Sequence, residues 1–283
     1  MLNMILWFAG IILSVFIIHL LISYLKSLFP GQGKTYILQP FYRLMKLASK
    51  KNAASQPLIQ WFSAGALWFS LTALWLTVSG WNIVYIFSIL IIAELFIIAG
   101  ASGTNNSFGL MAVQRRISGF SITCFTLMVA ASSIYKVTGT LNLGGILTMT
   151  RNKLLILRLP FTFISMIMVI LVEEGVCWFD LGISGKSMSF IDTGLYSAYN
   201  GWCLAVIQLT QWVKTGIWLK FISVFLPWPQ WISFTVSILI YAVLMVSDAF
   251  VAKTGWKKAV LNGFIWAGGA SVINYIWLYL ANI

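Results

Sequence analysis

Long apolar runs, broken by short polar ones, make up nearly the whole chain. A helix needs about 20 apolar residues to cross a bilayer. That length predicts eight crossings, over 2–25, 57–79, 81–101, 117–135, 159–172, 198–226, 231–250 and 259–281. Ser79-Gly80 predicts a tight turn between the second and third, and Pro227-Trp228-Pro229 ends the sixth. The fifth run is short, which predicts a tilted or broken helix. One segment has a different period. Over 37–51, Phe41, Leu44, Met45 and Ala48 recur at helical spacing, and Arg43, Lys46 and Lys50 fall on the other side. This predicts a basic amphipathic helix lying in the membrane interface. Residues 100–116 predict a polar loop, and 136–158 a basic segment holding Gly139, Gly144 and Gly145. The fold class is an all-α integral membrane protein, a single polytopic domain over 1–283.

Composition sharpens this picture. The chain of 283 residues is 60% hydrophobic and 8% charged, whereas a soluble domain carries about 25% charged residues. No soluble domain large enough to bury its own core is expected. The net charge of +12 would suggest nucleic acid in a soluble protein. Here the basic residues sit in short loops, so they read as topology signals and contacts to anionic membrane lipids, with no nucleic acid partner. The first apolar run lacks a basic n-region and is about 24 residues long, which predicts a retained helix rather than a signal peptide. Eight crossings place both termini on one side. Twelve Lys and Arg lie in the loops after helices one, three, five and seven, against four on the other side, all in 136–158. The positive-inside rule then puts 37–51 and 173–197 in the cytoplasm and both termini outside.

Candidate chemistry is confined to charge. Cys124, Cys177 and Cys203 fit no metal-ligand spacing, and the single histidine, His19, reads as a packing residue at a helix contact; no metal site is expected. The chain has no phosphate loop, dinucleotide fingerprint or nucleophile elbow, and no catalytic residue is assigned. Four of its six acidic residues lie between 171 and 201: Glu173, Glu174, Asp180 and Asp192. Two adjacent glutamates at the end of an apolar helix are costly unless they face water, a partner charge or a proton path. With Glu94, Asp248, Lys214 and Lys220 they outline a polar track through the bundle. Adjacent carboxylates also raise one another's proton affinity, which suits proton hand-over.

Three motifs carry a resemblance. GKTYILQPFYRLMKLASKK (33–51) is similar to a basic amphipathic segment that reads RxGPxxLQPxxDxxKLxxKE. TNNSFGLMAVQRR (104–116) is similar to a TGSSFGGMGASRE-like stretch. Glu173 to Asp180, followed by Ala198-Tyr199-Asn200-Gly201, stands where ExxRxPFD and EYSG are found. In this order the motifs resemble the membrane subunit shared by respiratory complex I (subunit 1, called H in bacteria) and the group 4 membrane-bound nickel–iron hydrogenases, including formate hydrogenlyase. The departures are specific. Val176 and Trp178 replace the arginine and proline of ExxRxPFD, and Ser187, Thr193 and Ala198 replace typical glutamates. Arg116 replaces a glutamate, and Glu94 falls where an arginine is frequent.

The resemblance implies a non-catalytic membrane subunit of an oxidoreductase complex. It implies docking of a peripheral iron–sulfur module, with nickel–iron in the hydrogenase-type version, through 26–56, 102–116 and 173–197. Antiporter-like membrane subunits would be the further partners, linked to proton or sodium translocation. No cofactor is expected on this chain's own side chains. A quinone, if used, would enter beneath 37–51. Glu173, Glu174 and Asp180 are the expected coupling residues with Lys214 as counter-charge, and Glu94 and Asp192 join them as candidates. Arg43, Lys46, Arg115 and Arg116 are the docking candidates. The shorter chain favours the hydrogenase-type version. Two alternatives stay open from the residues: a structural anchor whose ion path has degenerated, and an unrelated polytopic transporter.

Overall fold

The computed structural model describes residues 2–27, 38–50, 57–103, 107–152, 155–176, 194–248, 250–251 and 254–280. Among them every regular element is helical: α1 (Leu2–Ser27), α2 (Gln39–Ala48), α3 (Pro57–Ser79), α4 (Ile83–Ser102), α5 (Ser107–Thr138), α6 (Leu143–Asn152), α7 (Leu155–Arg158), α8 (Pro160–Glu174), α9 (Gly194–Ser197), α10 (Gly201–Phe225), α11 (Gln230–Ser247), α12 (Trp256–Gly263) and α13 (Ala270–Leu280). A π-helical turn, Phe264–Gly269, joins α12 to α13 into one continuous rod. Six helices are long and apolar enough to cross a membrane among the described residues. They are α1, α3, α4, α5, α11 and the α12–α13 rod. The other two expected crossings fall on α8 and α10. α10 has the length, 25 residues, but carries two lysines and two glutamines. α8 has 15 residues, about 22 Å of helix against a hydrocarbon core of about 30 Å.

The polar stretch expected as a loop over 100–116 is mostly helix. α5 begins at Ser107 and runs for 32 residues. Most of the glycines and asparagines that signal a turn precede Ser107, and Leu110, Met111, Ala112, Gln114, Arg115 and Arg116 are good helix formers. α5 is therefore about 48 Å long. The short fifth run is the short helix α8, separated from α7 at Leu159. Pro160 starts α8 at its first turn, and Gly175, at φ 62°, ends it with its N–H turned back to Val172. The glutamates thus close α8 at a sharp stop.

α10 is the hub. Every residue from Lys214 to Phe225 is buried, and α1, α2, α3, α8 and α11 all pack against it. α2 buries none of its residues fully, and Phe41 rests on Phe16 of α1 with ring centroids 6.1 Å apart. At the far end of the bundle the α3–α4 and α5–α6 turns are stitched together. Gly144 N–H donates to Gly80 O at 3.1 Å, and Leu143 N–H to Trp81 O at 3.1 Å. Gly80 has φ 75°, and a Cβ there would lie 3.2 Å from the Gly144 nitrogen, so both conformation and space require glycine.

Candidate functional site

Four helices each send one charged side chain to a common point inside the bundle. Glu94 comes from α4, Arg116 from α5, Glu173 from α8 and Lys214 from α10. Arg116 Nε donates to Glu94 Oε1 at 2.5 Å, and its Nη2 donates to Glu173 Oε2 at 2.7 Å. Arg116 Nη1 points to the carbonyl of Val172 at 3.5 Å. Lys214 Nζ donates to the second oxygen of Glu94. Exposure is 2% for Glu94, 1% for Arg116, 6% for Glu173 and 3% for Lys214. Two cations and two anions leave no net charge, which is how such burial is tolerated. The planar guanidinium suits this position because it can bridge two carboxylates at once.

The two adjacent glutamates diverge. Glu173 faces Arg116, whereas Glu174 turns to α10 and α11, where its Oε1 accepts from Thr215 Oγ1 at 3.0 Å and Tyr241 OH at 2.9 Å. The same division occurs on α10. Lys214 belongs to the ionic cluster, and its neighbour Thr215 belongs to the hydroxyl network. A small cavity touches the ionic cluster. It is lined by Leu90, Glu94, Thr123, Glu173, Lys214 and Trp218 among others, and its space of about 10 Å³ for the centre of a water molecule is room for about one.

The remaining candidates scatter. Arg43 and Lys46 are exposed on α2, and Arg115 is half-buried on α5. Arg116, grouped with them as a docking residue, is at the centre of the ionic cluster, one of the largest fully buried side chains. Its place in a helix rather than a loop is the reason. Asp180 and Asp192 lie outside the described residues. Asp248 ends α11. Lys220 lies away from the carboxylates of the cluster, its Nζ 4.7 Å above the ring of Trp7. His19 stacks on Trp212 with centroids 4.9 Å apart. Among the described residues no three His, Cys, Asp or Glu gather as a metal site would require.

Sequence reasoning missed Thr215 and Tyr241, which carry no charge to draw notice. It also treated Glu94 and Arg116 as separate departures from the resembled pattern, although they are partners. In the resembled pattern an arginine is frequent at the first position and a glutamate at the second; here the signs are exchanged and the two residues form an ion pair. One more matched position finds a structural role. The Tyr199 hydroxyl donates to the carbonyl of Ile97 and sits over Gly100, tying the entry of α10 to α4.

The chain is 22% identical over 213 residues to the H subunit of the NADH-quinone oxidoreductase of Geobacillus sp. (strain WCH70), covering 66% of this chain and 63% of that relative. The chain thus matches less than two thirds of that curated relative's length. Its fold matches a chain of the membrane-bound sulfane sulfur reductase, an archaeal respiratory membrane complex, with a TM-score of 0.83, 18% identity and 98% of both chains covered. The family model described as NADH dehydrogenase matches residues 30–279, so this multi-pass membrane protein belongs to that family, as a divergent member of the subunit 1 or H type.

Proposed function

We propose that the chain is the membrane subunit of a complex-I-like redox complex, in which it anchors a peripheral electron-transfer module and links it to ion translocation. The observation that carries this reading is the ionic cluster of Glu94, Arg116, Glu173 and Lys214. Ionisable groups buried in a membrane bundle are costly and mark ion or proton pathways. Glu173 sits within four residues of 177–193, the segment that resembles the family's coupling loop, so a partner pressing on that segment would act on α8 and its glutamates. Asp180 and Asp192 belong to the same proposal. Arg43 and Lys46, exposed on α2, and Arg115 would contact the peripheral module.

The finer assignment is to the hydrogenase-like branch, supported by the short chain and by Ser187, Thr193 and Ala198 standing where the resembled pattern has glutamates. The partners are then iron–sulfur subunits, with or without nickel–iron, and antiporter-like membrane subunits. The chain would lie in the cytoplasmic membrane of a prokaryote with eight crossings and both termini outside. A quinone or other lipid-soluble acceptor, if one is used, has a candidate entry beneath α2, where Ile11, Val15, Phe16, Leu74, Trp212 and Gly216 line an apolar cavity.

One observation favours a second reading, a purely structural anchor. The four charges sum to zero and each is held by a partner, as in a static pin. The test is to purify the tagged protein gently, identify its partners and metals, and compare the wild type with Glu173→Gln. Iron-bearing redox subunits, with ion coupling lost and electron transfer kept in the variant, support the proposal. Unchanged coupling supports the anchor. A protein that purifies alone and free of metal overturns both.

A further inference from the structure

Beyond the ionic cluster, the bundle holds polar side chains that have no hydrogen-bond partner among the described residues. Thr123 and Thr126 on α5, Thr162 on α8 and Asn274 on α13 are 4%, 0%, 0% and 0% exposed. The hydroxyls of the three threonines and both amide atoms of Asn274 are unsatisfied. Leaving a buried polar group unpaired costs about 1–3 kcal/mol, and native proteins rarely carry several together without water.

These residues share one region of the bundle. α5, α8 and α13 pack on one another in all three combinations. Arg116 and Glu173 meet, and α5 runs away from that point as α8 runs toward it. Thr162 stands eleven residues before Glu173, which is about three turns and returns it to the same face of α8, toward α5. On α5, Thr123 is seven residues beyond Arg116 and falls on the same face, and Thr126 follows one turn later. Thr126 and Thr162 therefore lie at about the same depth, roughly 15 Å from Arg116 along the helix. Two further contacts fix α13. A Cβ on Gly268 would lie 3.3 Å from the Phe125 ring, and Lys136 Nζ is 4.5 Å from the centroid of Tyr279. Both pairs have the same sequence offset, so α13 runs parallel to α5. That offset places Asn274 level with residue 131, about 7.5 Å past Thr126 along the helix. Asn274 belongs to the buried stripe of α13, with Ala270, Ser271 and Leu278.

The near end of this set meets the cluster. Thr123 lines the same small cavity as Glu94, Glu173 and Lys214. At the far end Ser133, fully buried on α5, donates to Val129 O and keeps lone pairs free to accept.

We propose that Thr123, Thr126, Thr162 and Asn274 form a water-holding seam that carries protons between the Glu94–Glu173 cluster and the end of α5 at Thr138. Each threonine hydroxyl can accept from one water and donate to the next, and the Asn274 amide can orient two. Waters in such a site satisfy groups that the protein leaves unpaired. A proton then passes by exchange along hydroxyls and waters, with no bond to carbon made or broken. The inference rests on the reading of the cluster as the coupling site.

The test uses the intact complex with its partner subunits in sealed vesicles, following electron transfer and internal pH together. Thr126→Val and Asn274→Leu, made together, should abolish the pH change and keep electron transfer. Thr126→Ser with Asn274→Gln should restore the pH change. Glu173→Gln in the same assay tests the cluster itself. Loss of the pH change with Glu173→Gln but not with the seam variant overturns the seam and leaves the coupling reading standing. Loss with neither overturns both. Radiolytic labelling of the wild-type complex needs no variant to fold. Met166, one turn from Thr162 and 2% exposed, should be oxidised as fast as a surface methionine, because bound water supplies the hydroxyl radical. Failure of Met166 to oxidise overturns the seam.

Discussion

Glu94 and Arg116 are 22 residues apart on neighbouring helices, and their Oε1–Nε distance is 2.5 Å. The signs of the pair are set by what lies beyond it. Lys214 holds the other oxygen of Glu94, and Glu173 holds the other side of the guanidinium. Exchanging the pair by Glu94→Arg with Arg116→Glu would set the new guanidinium against Lys214 and the new carboxylate against Glu173. The exchange should therefore fail to restore stability, although it keeps one ion pair. Each single substitution leaves an uncompensated buried charge and should cost about 3–5 kcal/mol. Thermal melting of the purified complex in detergent checks this. A double exchange as stable as the wild type would show that the outer two charges do not fix the polarity.

Much of this was legible in the sequence. The apolar runs marked α1, α3, α4 and α11 to within a few residues, because a long apolar segment in lipid satisfies its backbone groups within itself as a helix. The period over 37–51 marked α2. Two things were not legible. The start of α5 was hidden because glycines and asparagines signalled a turn, and the helix formers behind them were read as part of it. The ionic cluster was visible only as a set of charges. Glu94, Arg116, Glu173 and Lys214 lie on four different helices, and pairing across helices depends on packing that no local pattern records. Hence Arg116 read as a loop residue, and Lys214 was the counter-charge expected for the carboxylates.

The hydroxyl network around Glu174 should respond differently from the ionic cluster. Glu174 accepts from two neutral donors, Thr215 and Tyr241, and a glutamine oxygen can accept from both. Glu174→Gln should leave stability within about 1 kcal/mol. Tyr241→Phe removes one donor from a fully buried side chain and should cost about 1–2 kcal/mol. Melting of the two variants beside Glu173→Gln separates the networks. A loss in Glu174→Gln as large as in Glu173→Gln would mean that the two glutamates act as one site.

Gly216 packs α10 tightly against α1. A Cβ there would lie 2.8 Å from Ile11 Cγ2 and 3.1 Å from Val15 Cγ2. Gly216→Ala should force α1 outward and cost about 1–3 kcal/mol, the usual range for overpacking. Ile11→Ala removes the crowded Cγ2, so the pair Gly216→Ala with Ile11→Ala should cost less than the sum of the two single changes. If Gly216→Ala alone melts with the wild type, α1 is free to move on α10, and the apolar cavity between them is adjustable.

Lys220 poses the opposite problem to Lys214. It is 5% exposed, and among the described residues its ammonium meets the ring of Trp7, which itself stacks on Trp231 at 4.2 Å. A cation over an aromatic face gains about 2 kcal/mol when desolvated. Taking an ion out of water costs several kcal/mol even after relaxation. The second effect is larger, so the charge is a net liability to the isolated fold. Lys220→Met keeps the length and apolar stem of the side chain and should raise the melting temperature by about 2–4 °C per kcal/mol gained. The same substitution on Lys214 should lower it, because Glu94 would lose a partner inside the bundle. A fall for Lys220→Met would show that the lysine is held by a carboxylate or lipid phosphate from a neighbouring molecule, and comparison of melting with and without added anionic lipid would tell these two apart.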